Sequence, residues 1–190
     1  MTDTQGMSSP RMTGDQRREQ ILAVARHVFA EGGYSASTDD IARAAGVSQP
    51  YVVRLFGSKR VLYAETYRRA ATQLLDAFAE VPAGAEAGDL MGDVYLQLIA
   101  DRDLRLIIMQ GFMSSDPDIQ AVARHTLGEA FRLHVEKVGA GDAAARDFVA
   151  HGMLINALLG TDAPAHSGGD SGLEALVACA VPTAERREAR

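Results

Sequence analysis

Residues 35–59 read SASTDDIARAAGVSQPYVVRLFGSK, and this stretch decides the fold of the chain. Two short helical patterns, over residues 38–45 and 49–56, meet at a turn around Gly46. Their apolar positions recur at helical spacing and are Ile41, Ala42 and Ala45 in the first and Val52, Leu55 and Phe56 in the second. Two helices joined by a tight glycine-containing turn form a helix-turn-helix, whose second helix can enter the major groove of DNA.

The composition limits the class of protein. The chain has 190 residues, of which 47% are apolar, which suits one large domain or two small ones. It contains no run of about 18 apolar residues and no apolar segment after its N-terminal charges, so we expect neither a membrane span nor a signal peptide. The single Cys179 excludes an internal disulfide, and we expect a cytoplasmic protein.

The net charge of −6 is divided unevenly along the chain. Residues 1–69 hold ten basic and seven acidic side chains, a net charge of +3, and the remaining residues carry −9. A basic portion followed by an acidic one is typical of a nucleic-acid-binding segment joined to another domain. Because the surplus is small, the charge pattern also fits a protein that acts through protein contacts.

Helical periodicity recurs along the chain, and no strand-like alternation of any length interrupts it, so the sequence predicts an all-α fold of about nine helices. We expect a mobile arm over residues 1–14, in which Arg11 is either a DNA contact or part of a solvated tail. A helix-turn-helix domain over 15–60 and a helical domain over 61–181 follow, and residues 182–190 form a charged tail.

Local signals place the helices of the first domain. A helix over about 15–31 ends at Gly32-Gly33, and Ser37 or Thr38 caps the next helix. Ser37 with Asp40 resembles a capping box. Asp39 and Asp40 could also be taken as a metal or acid/base pair, but their position at a helix start favours capping. A fourth helix over about 59–79 is long enough, at about 30 Å, to enter a second helical bundle.

The second domain is predicted to hold helices over 89–100, 101–113, 117–138, 143–160 and 173–181, with a polar loop over 161–172. The helix over 143–160 is apolar on more than one side, so both of its faces must be covered. We expect one face to meet a second subunit, which makes the chain a homodimer through 143–160 and 173–181. Gly152, Ala157 and Gly160 would allow close helix approach there.

Ligand sites in helical bundles form between helices, so we expect a cavity in the second domain. The candidate lining residues are Tyr67, Tyr95, Met109, Phe112, Met113, Leu127, Phe131, Phe148, His151 and Asn156. Most of them fit a plain core role as well. His134, His151 and Asn156 are polar groups within apolar helices and need a partner, so the expected ligand is largely apolar with one or two polar groups.

The chain resembles the TetR family of transcriptional regulators over about residues 17–63. The resemblance is carried by Gly32-Gly33-Tyr34, Thr38 with Ile41-Ala42, Ala45-Gly46-Val47-Ser48, and Phe56 with Ser58-Lys59. It implies an all-α homodimer in which a three-helix DNA-binding domain is linked to a ligand-binding and dimerisation domain. It also implies a repressor that binds a pseudo-palindromic operator and is released by a small molecule.

The resemblance and the side-chain chemistry together assign the DNA contacts. The family places Thr38 and Lys59 near the DNA backbone, and the recognition helix holds Gln49, Pro50, Tyr51, Val53 and Arg54. Gln can pair with adenine, Arg with guanine, and an apolar Val or Pro can meet a thymine methyl group. Many family members carry Tyr where Val53 stands here, so that backbone contact is either moved or lost. The nearest Tyr is Tyr51, to which we assign a phosphate contact. The alternatives are a core ring for Tyr51 and a phosphate contact for Arg54.

Catalytic signals are weak. The sequence lacks the motifs GxSxG, GxGxxG and HExxH and a P-loop, and its five histidines form no short ligand pair. Cys179 lies in an apolar run without a basic neighbour, which favours packing over nucleophilic chemistry. We therefore expect no enzyme, no metal site and no cofactor. The remaining alternative is a helical sensor or adaptor with little DNA binding.

Overall fold

A computed structural model describes residues 13–181 of the chain, and the residues in this range form α-helices and short 3-10 turns without a β-strand. The helices are α1 (Gly14–Gly32), α2 (Thr38–Ala44), α3 (Gln49–Phe56), α4 (Lys59–Glu80), α5 (Ala87–Ala100), α6 (Arg102–Phe112), α7 (Pro117–Val138), α8 (Gly141–Gly160), α9 (Ala163–His166) and α10 (Ser171–Ala180). The predicted all-α fold is confirmed. Within the described range, no helix is both long enough and apolar enough to cross a bilayer.

The helix count differs from the prediction at one place. The predicted polar loop over 161–172 contains α9, a single turn with Pro164 at its start, where the missing N–H costs no helical hydrogen bond. Ala163 of this turn is buried against Leu158 and Ala180, so an apolar contact with α8 and α10 holds it. Residues 1–12 of the predicted arm, including Arg11, lie outside the described residues. The predicted tail over 182–190 lies outside them as well.

The chain forms two compact units, one ending at Thr66 and the other beginning at Tyr67, so that α4 belongs to both. In the first unit α1, α2 and α3 pack around a common core. Its buried side chains include Ile21, Leu22, Phe29, Ile41, Val52, Phe56 and Leu62. The core positions are those of the helical patterns in the sequence, which explains why this unit could be predicted from periodicity.

Side-chain caps begin the first two helices. Thr13 Oγ1 accepts from the backbone N–H of Gln16 at 3.2 Å, and Gln16 Oε1 accepts from the backbone N–H of Thr13 at 2.9 Å. The predicted box of Ser37 and Asp40 is confirmed, with both reciprocal bonds at 3.1 Å. The Ser37 hydroxyl also donates to Asp40 Oδ2 at 2.6 Å. This bond, followed by the one from the Ser37 backbone N–H, stabilises the carboxylate form and lowers the pKa of Asp40.

In the second unit the C-terminal part of α4 packs with α5, α7 and α8. The central buried cluster comprises Leu74, Phe78, Val81, Ala87, Met91, Ala130 and Leu133. Tyr67 is fully buried, and its ring lies so close to Gly111 that a Cβ atom there would be 2.0 Å from the ring. α10 packs on the end of α8, and Leu176 on α10 is 42% exposed.

Candidate nucleic-acid interface and effector cavity

The turn between α2 and α3 sets the direction of the predicted recognition helix. Gly46 has a φ of 66°, a left-handed conformation that glycine adopts without the steric cost of a side chain. The backbone N–H of Val47 donates to the Ala42 carbonyl at 3.0 Å, which closes the turn. Val52 and Phe56 then bury the inner face of α3 at 0% and 5% exposure.

The outer face of α3 is open to solvent. Pro50, Val53 and Arg54 are exposed, and their spacing places them together on one side of the helix. These are three of the five residues that the sequence predicts on the recognition surface. The helix therefore presents two apolar side chains and one guanidinium group, a set that can meet thymine methyl groups and a guanine edge.

Gln49 and Thr38, predicted to contact a base and a phosphate, lie next to each other. Gln49 Nε2 donates to Thr38 Oγ1 at 3.2 Å, which joins the first residue of α3 to the first residue of α2. This bond uses one of the two N–H donors of the Gln49 amide. The second donor and the carbonyl oxygen suffice for a bidentate pair with adenine.

Tyr51 and Arg54 form a second pair. The Arg54 guanidinium carbon lies 5.1 Å from the centroid of the Tyr51 ring, a cation–π distance. Tyr51 is half-buried, so the alternative that it is a core ring holds for only part of the side chain. The contact restricts where the Arg54 side chain can point before it meets DNA.

Lys59 stands at the first position of α4. Its Nζ donates to the Tyr34 carbonyl at 2.8 Å and lies 4.5 Å from the centroid of the Tyr34 ring. An ammonium group has three donors, so this bond leaves two for a phosphate. The Tyr34 ring in turn contacts the Tyr63 ring edge to face, with a centroid distance of 5.2 Å. Lys59, the predicted phosphate contact, therefore packs on a pair of aromatic rings.

Arg18 is a residue that the sequence analysis missed. Its Nε and Nη2 atoms donate to both carboxylate oxygens of Glu65, at 3.2 and 2.5 Å. Its Nη1 donates to the Leu55 carbonyl at 3.1 Å, and its guanidinium carbon lies 4.4 Å from the centroid of the Phe56 ring. Arg18 therefore fixes the C-terminal end of α3 to α1 and α4. Partners 37 and 47 positions away leave no local signal in the sequence.

The second unit contains a cavity of about 50 Å³ between the helices from α4 to α8. Five of the ten predicted lining residues surround it, namely Tyr95, Phe112, Leu127, Phe148 and Asn156. The other lining positions are mostly apolar and come from the faces of α4, α6, α7 and α8 that periodicity assigns to the core. The expectation of a largely apolar site describes this lining.

The other five predicted lining residues lie elsewhere. Met113 follows the last residue of α6, is 85% exposed and does not line this cavity. Tyr67 is a core ring against Gly111. His151 is exposed, with Nε2 at 2.9 Å from the Ala180 carbonyl, and lines an open groove between α5, α8 and α10. Met109 and Phe131 are half-buried outside the cavity lining.

Two polar side chains meet at the cavity wall. Asn156 Nδ2 donates to the Tyr95 hydroxyl oxygen and, at 3.1 Å, to the Gly152 carbonyl. The Tyr95 hydroxyl donates to the same carbonyl at 3.2 Å. Burial raises the pKa of Tyr95 to about 12, so its hydroxyl keeps its proton at neutral pH.

His134, the remaining polar residue noted in the sequence, is a core residue beside this wall. It is 5% exposed and stacks on Phe148 with a centroid distance of 4.7 Å. Burial disfavours the imidazolium form and lowers the pKa of His134. The ring packs on Phe148, and its Nδ1 atom is buried without a hydrogen-bond partner among the described residues.

The helix-turn-helix unit matches a known family. Residues 21–66 match the family model for bacterial regulatory proteins of the tetR family. A stretch of 66 residues is 41% identical to the HTH-type transcriptional activator FasR of Mycolicibacterium smegmatis. That stretch covers 34% of this chain and 30% of the relative, so the similarity extends over less than a third of FasR.

Solved structures resemble the chain over both units. A TetR-like transcriptional regulator from Rhodococcus sp. RHA1 matches with a TM-score of 0.66 and 21% identity, over 87% of this chain and 94% of that one. A tetR-family transcriptional regulator from Streptomyces coelicolor matches with a TM-score of 0.57 and 21% identity, over 87% and 88%. At this identity the likeness shows the fold. With its helix-turn-helix over residues 21–66, the chain carries the DNA-binding unit of the TetR family of transcriptional regulators, whose members are non-enzymatic DNA-binding proteins.

Proposed function

We propose that this chain is a dimeric repressor that binds a pseudo-palindromic operator and leaves it when a small, largely apolar ligand binds. The observation that carries the proposal is the exposed outer face of α3, with Arg54 restrained by Tyr51 and Gln49 by Thr38. We assign the site of action to the cytoplasm, where operator DNA lies.

The proposed contacts divide into two groups. Arg54 reads a guanine and Gln49 an adenine, while Pro50 and Val53 meet thymine methyl groups. Thr38, Tyr51 and Lys59 contact the phosphate backbone and set the position of α3 in the groove. The Arg18 contacts support this arrangement because they hold the end of α3 in one place.

The proposed dimer forms through α8 and α10. Leu176 is 42% exposed on α10, and Cys179 on the same helix is exposed as well. A two-fold symmetric dimer would present two recognition helices about 34–36 Å apart, which matches successive major grooves on one side of DNA. Exposed apolar residues on a terminal helix are a common source of such an interface.

The proposed ligand response needs a ligand that prefers the form with lower DNA affinity. The cavity is the candidate ligand site, and α4 contributes to its wall and also begins at Lys59 in the DNA-binding unit. A shift of α4 on ligand binding would change the spacing of the recognition helices. Because the relative FasR is named an activator, activation is the second candidate for the direction of the response.

The test is selection of duplexes from a random library, followed by gel shifts across a salt series and sedimentation of the protein alone. We expect a palindromic consensus, a dimer, and an affinity that falls as salt rises. Transcription of a reporter behind the selected sequence then separates repression from activation. An intact dimer that selects no duplex would favour the sensor or adaptor alternative, which the net charge of only +3 over residues 1–69 supports.

A further inference from the structure

The orientation of the Asn156 amide follows from its neighbours. The Gly152 carbonyl can only accept hydrogen bonds, so the amide atom 3.1 Å from it must be Nδ2. The Tyr95 hydroxyl gives its proton to the same carbonyl and accepts from Nδ2. Asn156 Oδ1 is therefore held on the side away from Gly152. A Cβ at position 152 would lie 3.2 Å from the Tyr95 ring, so a side chain there would displace the ring by a few tenths of an ångström.

Asn156 Oδ1 is a buried acceptor at the cavity wall. Asn156 is 2% exposed and lines the cavity, and within the described part of the chain Oδ1 receives no hydrogen bond. Buried polar atoms in folded proteins are nearly always paired, because leaving one without a partner is costly. Because Asn156 belongs to the lining of a mostly apolar cavity, we take its unpaired acceptor as the place where a bound group would donate a hydrogen bond.

The other polar side chains of the lining strengthen this conclusion. Thr126 is 2% exposed, and its hydroxyl donates to the Val122 carbonyl at 2.8 Å. The Tyr95 hydroxyl donates to the Gly152 carbonyl. Among the described residues around the cavity, both hydroxyl protons are thus used within the protein, and none of these residues is basic.

We propose that the cavity binds a neutral molecule with an apolar body and a hydroxyl or N–H group that donates to Asn156 Oδ1. The inference rests on the proposed effector role of this cavity and narrows its ligand class. Carboxylates and other anions are excluded, because a buried anion requires donors or a cation that this lining does not offer.

The size of the cavity sets how such a ligand would fit. An apolar cavity of about 150 Å³ takes up benzene. The cavity here, at about 50 Å³, holds only a few heavy atoms as it stands. The donor group and the adjoining carbons fit beside Asn156. A longer body requires the half-buried side chains of Phe112 and Met153 to rotate, and methionine does so easily.

The experiment compares three probes of similar size on the full chain: 1-butanol, its isomer methyl propyl ether, and butyrate. Binding is followed by the side-chain amide resonances of Asn156 in ¹⁵N-labelled protein. We expect 1-butanol to bind about fivefold more tightly than the ether, because this ratio corresponds to the net free energy of one neutral hydrogen bond. Butyrate should not shift these resonances at neutral pH.

Two variants separate the acceptor from the rest of the cavity. Asn156→Leu should reduce the ratio of alcohol to ether affinity to one, as read from methyl resonances of the lining. Thr66→Val, the loss of a hydroxyl at a buried residue outside the cavity, should keep the fivefold ratio. The probe comparison on the unmodified chain needs no variant, so the inference remains testable if Asn156→Leu does not fold.

Several results would overturn the inference. Equal affinities for alcohol and ether would show that Asn156 Oδ1 finds its partner elsewhere, and tighter binding of butyrate would contradict the neutral ligand class. No binding of any probe would also overturn it. If the alcohol preference holds but saturating 1-butanol leaves operator affinity unchanged, the cavity chemistry stands and only the proposed effector role fails.

Discussion

Replacing Arg18 by Met tests how the recognition helix is held. The change removes the pair with Glu65, the hydrogen bond to the Leu55 carbonyl and the contact with the Phe56 ring, and keeps an apolar chain of similar length. The ion pair is partly solvated, at 33% and 21% exposure, so we count it at only about 0.5 kcal/mol. With the hydrogen bond and the cation–π contact, the expected loss is about 2 kcal/mol.

Native-state hydrogen exchange measures this loss within the DNA-binding unit, because it reports the opening free energy of the α1 and α3 amides separately from the second unit. Arg43→Met is the matched control. Arg43 is 71% exposed and pairs with the exposed carboxylates of Asp39 and Asp40, so its loss should cost less than about 0.5 kcal/mol. If the two variants changed the opening free energy equally, the role assigned to Arg18 would be refuted.

Two further changes test the packing of the second unit. Gly111→Ala should lower the free energy of unfolding by about 3 kcal/mol in urea titrations, because its Cβ would lie 2.0 Å from the Tyr67 ring. Gly128→Ala, inside α7 with open space around it, should raise it by up to about 1 kcal/mol, and a loss at both sites would contradict the steric argument. Because burial lowers the pKa of His134, the unfolded chain binds more protons below its usual pKa of about 6.5, and stability should fall as pH drops below that value. His134→Leu should flatten this slope between neutral and mildly acidic pH in pH-resolved urea titrations, while His125→Gln, exposed on the same helix, should keep it.

Local chemistry made the helix-turn-helix predictable. Its signals come from residues that lie close together in the sequence. They are the capping box of Ser37 and Asp40, the glycine at position 46 and the apolar spacing of α3. The same holds for α7, predicted over 117–138 and observed as Pro117–Val138. Elsewhere helix ends differ from the prediction by one or two residues, as at α5 and α8, where Ala87-Gly88 and Gly141-Asp142 precede the periodic pattern.

Contacts between distant positions could not be predicted in this way. Arg18 lies in the first turns of an amphipathic helix, where a charged residue normally faces solvent, and only the fold brings Glu65 to it. Periodicity also does not distinguish Tyr67 from Tyr95, because both lie on apolar helix faces and both are predicted to line the cavity. Gly111 makes the first a core ring, and Gly152 lets the second reach the cavity wall. Packing partners on other helices decide such differences.

The most direct test of the central claim, that the outer face of α3 reads DNA sequence, is fluorescence anisotropy on the selected duplex and on a copy with its conserved guanine replaced. The unmodified chain should prefer the guanine duplex by about tenfold or more, and Arg54→Ala should lose that preference and bind more weakly. Arg146→Ala, the same change at a residue 71% exposed in the second unit, should leave both values unchanged. Arg54→Ala with the affinity and the preference of the unmodified chain would contradict the account.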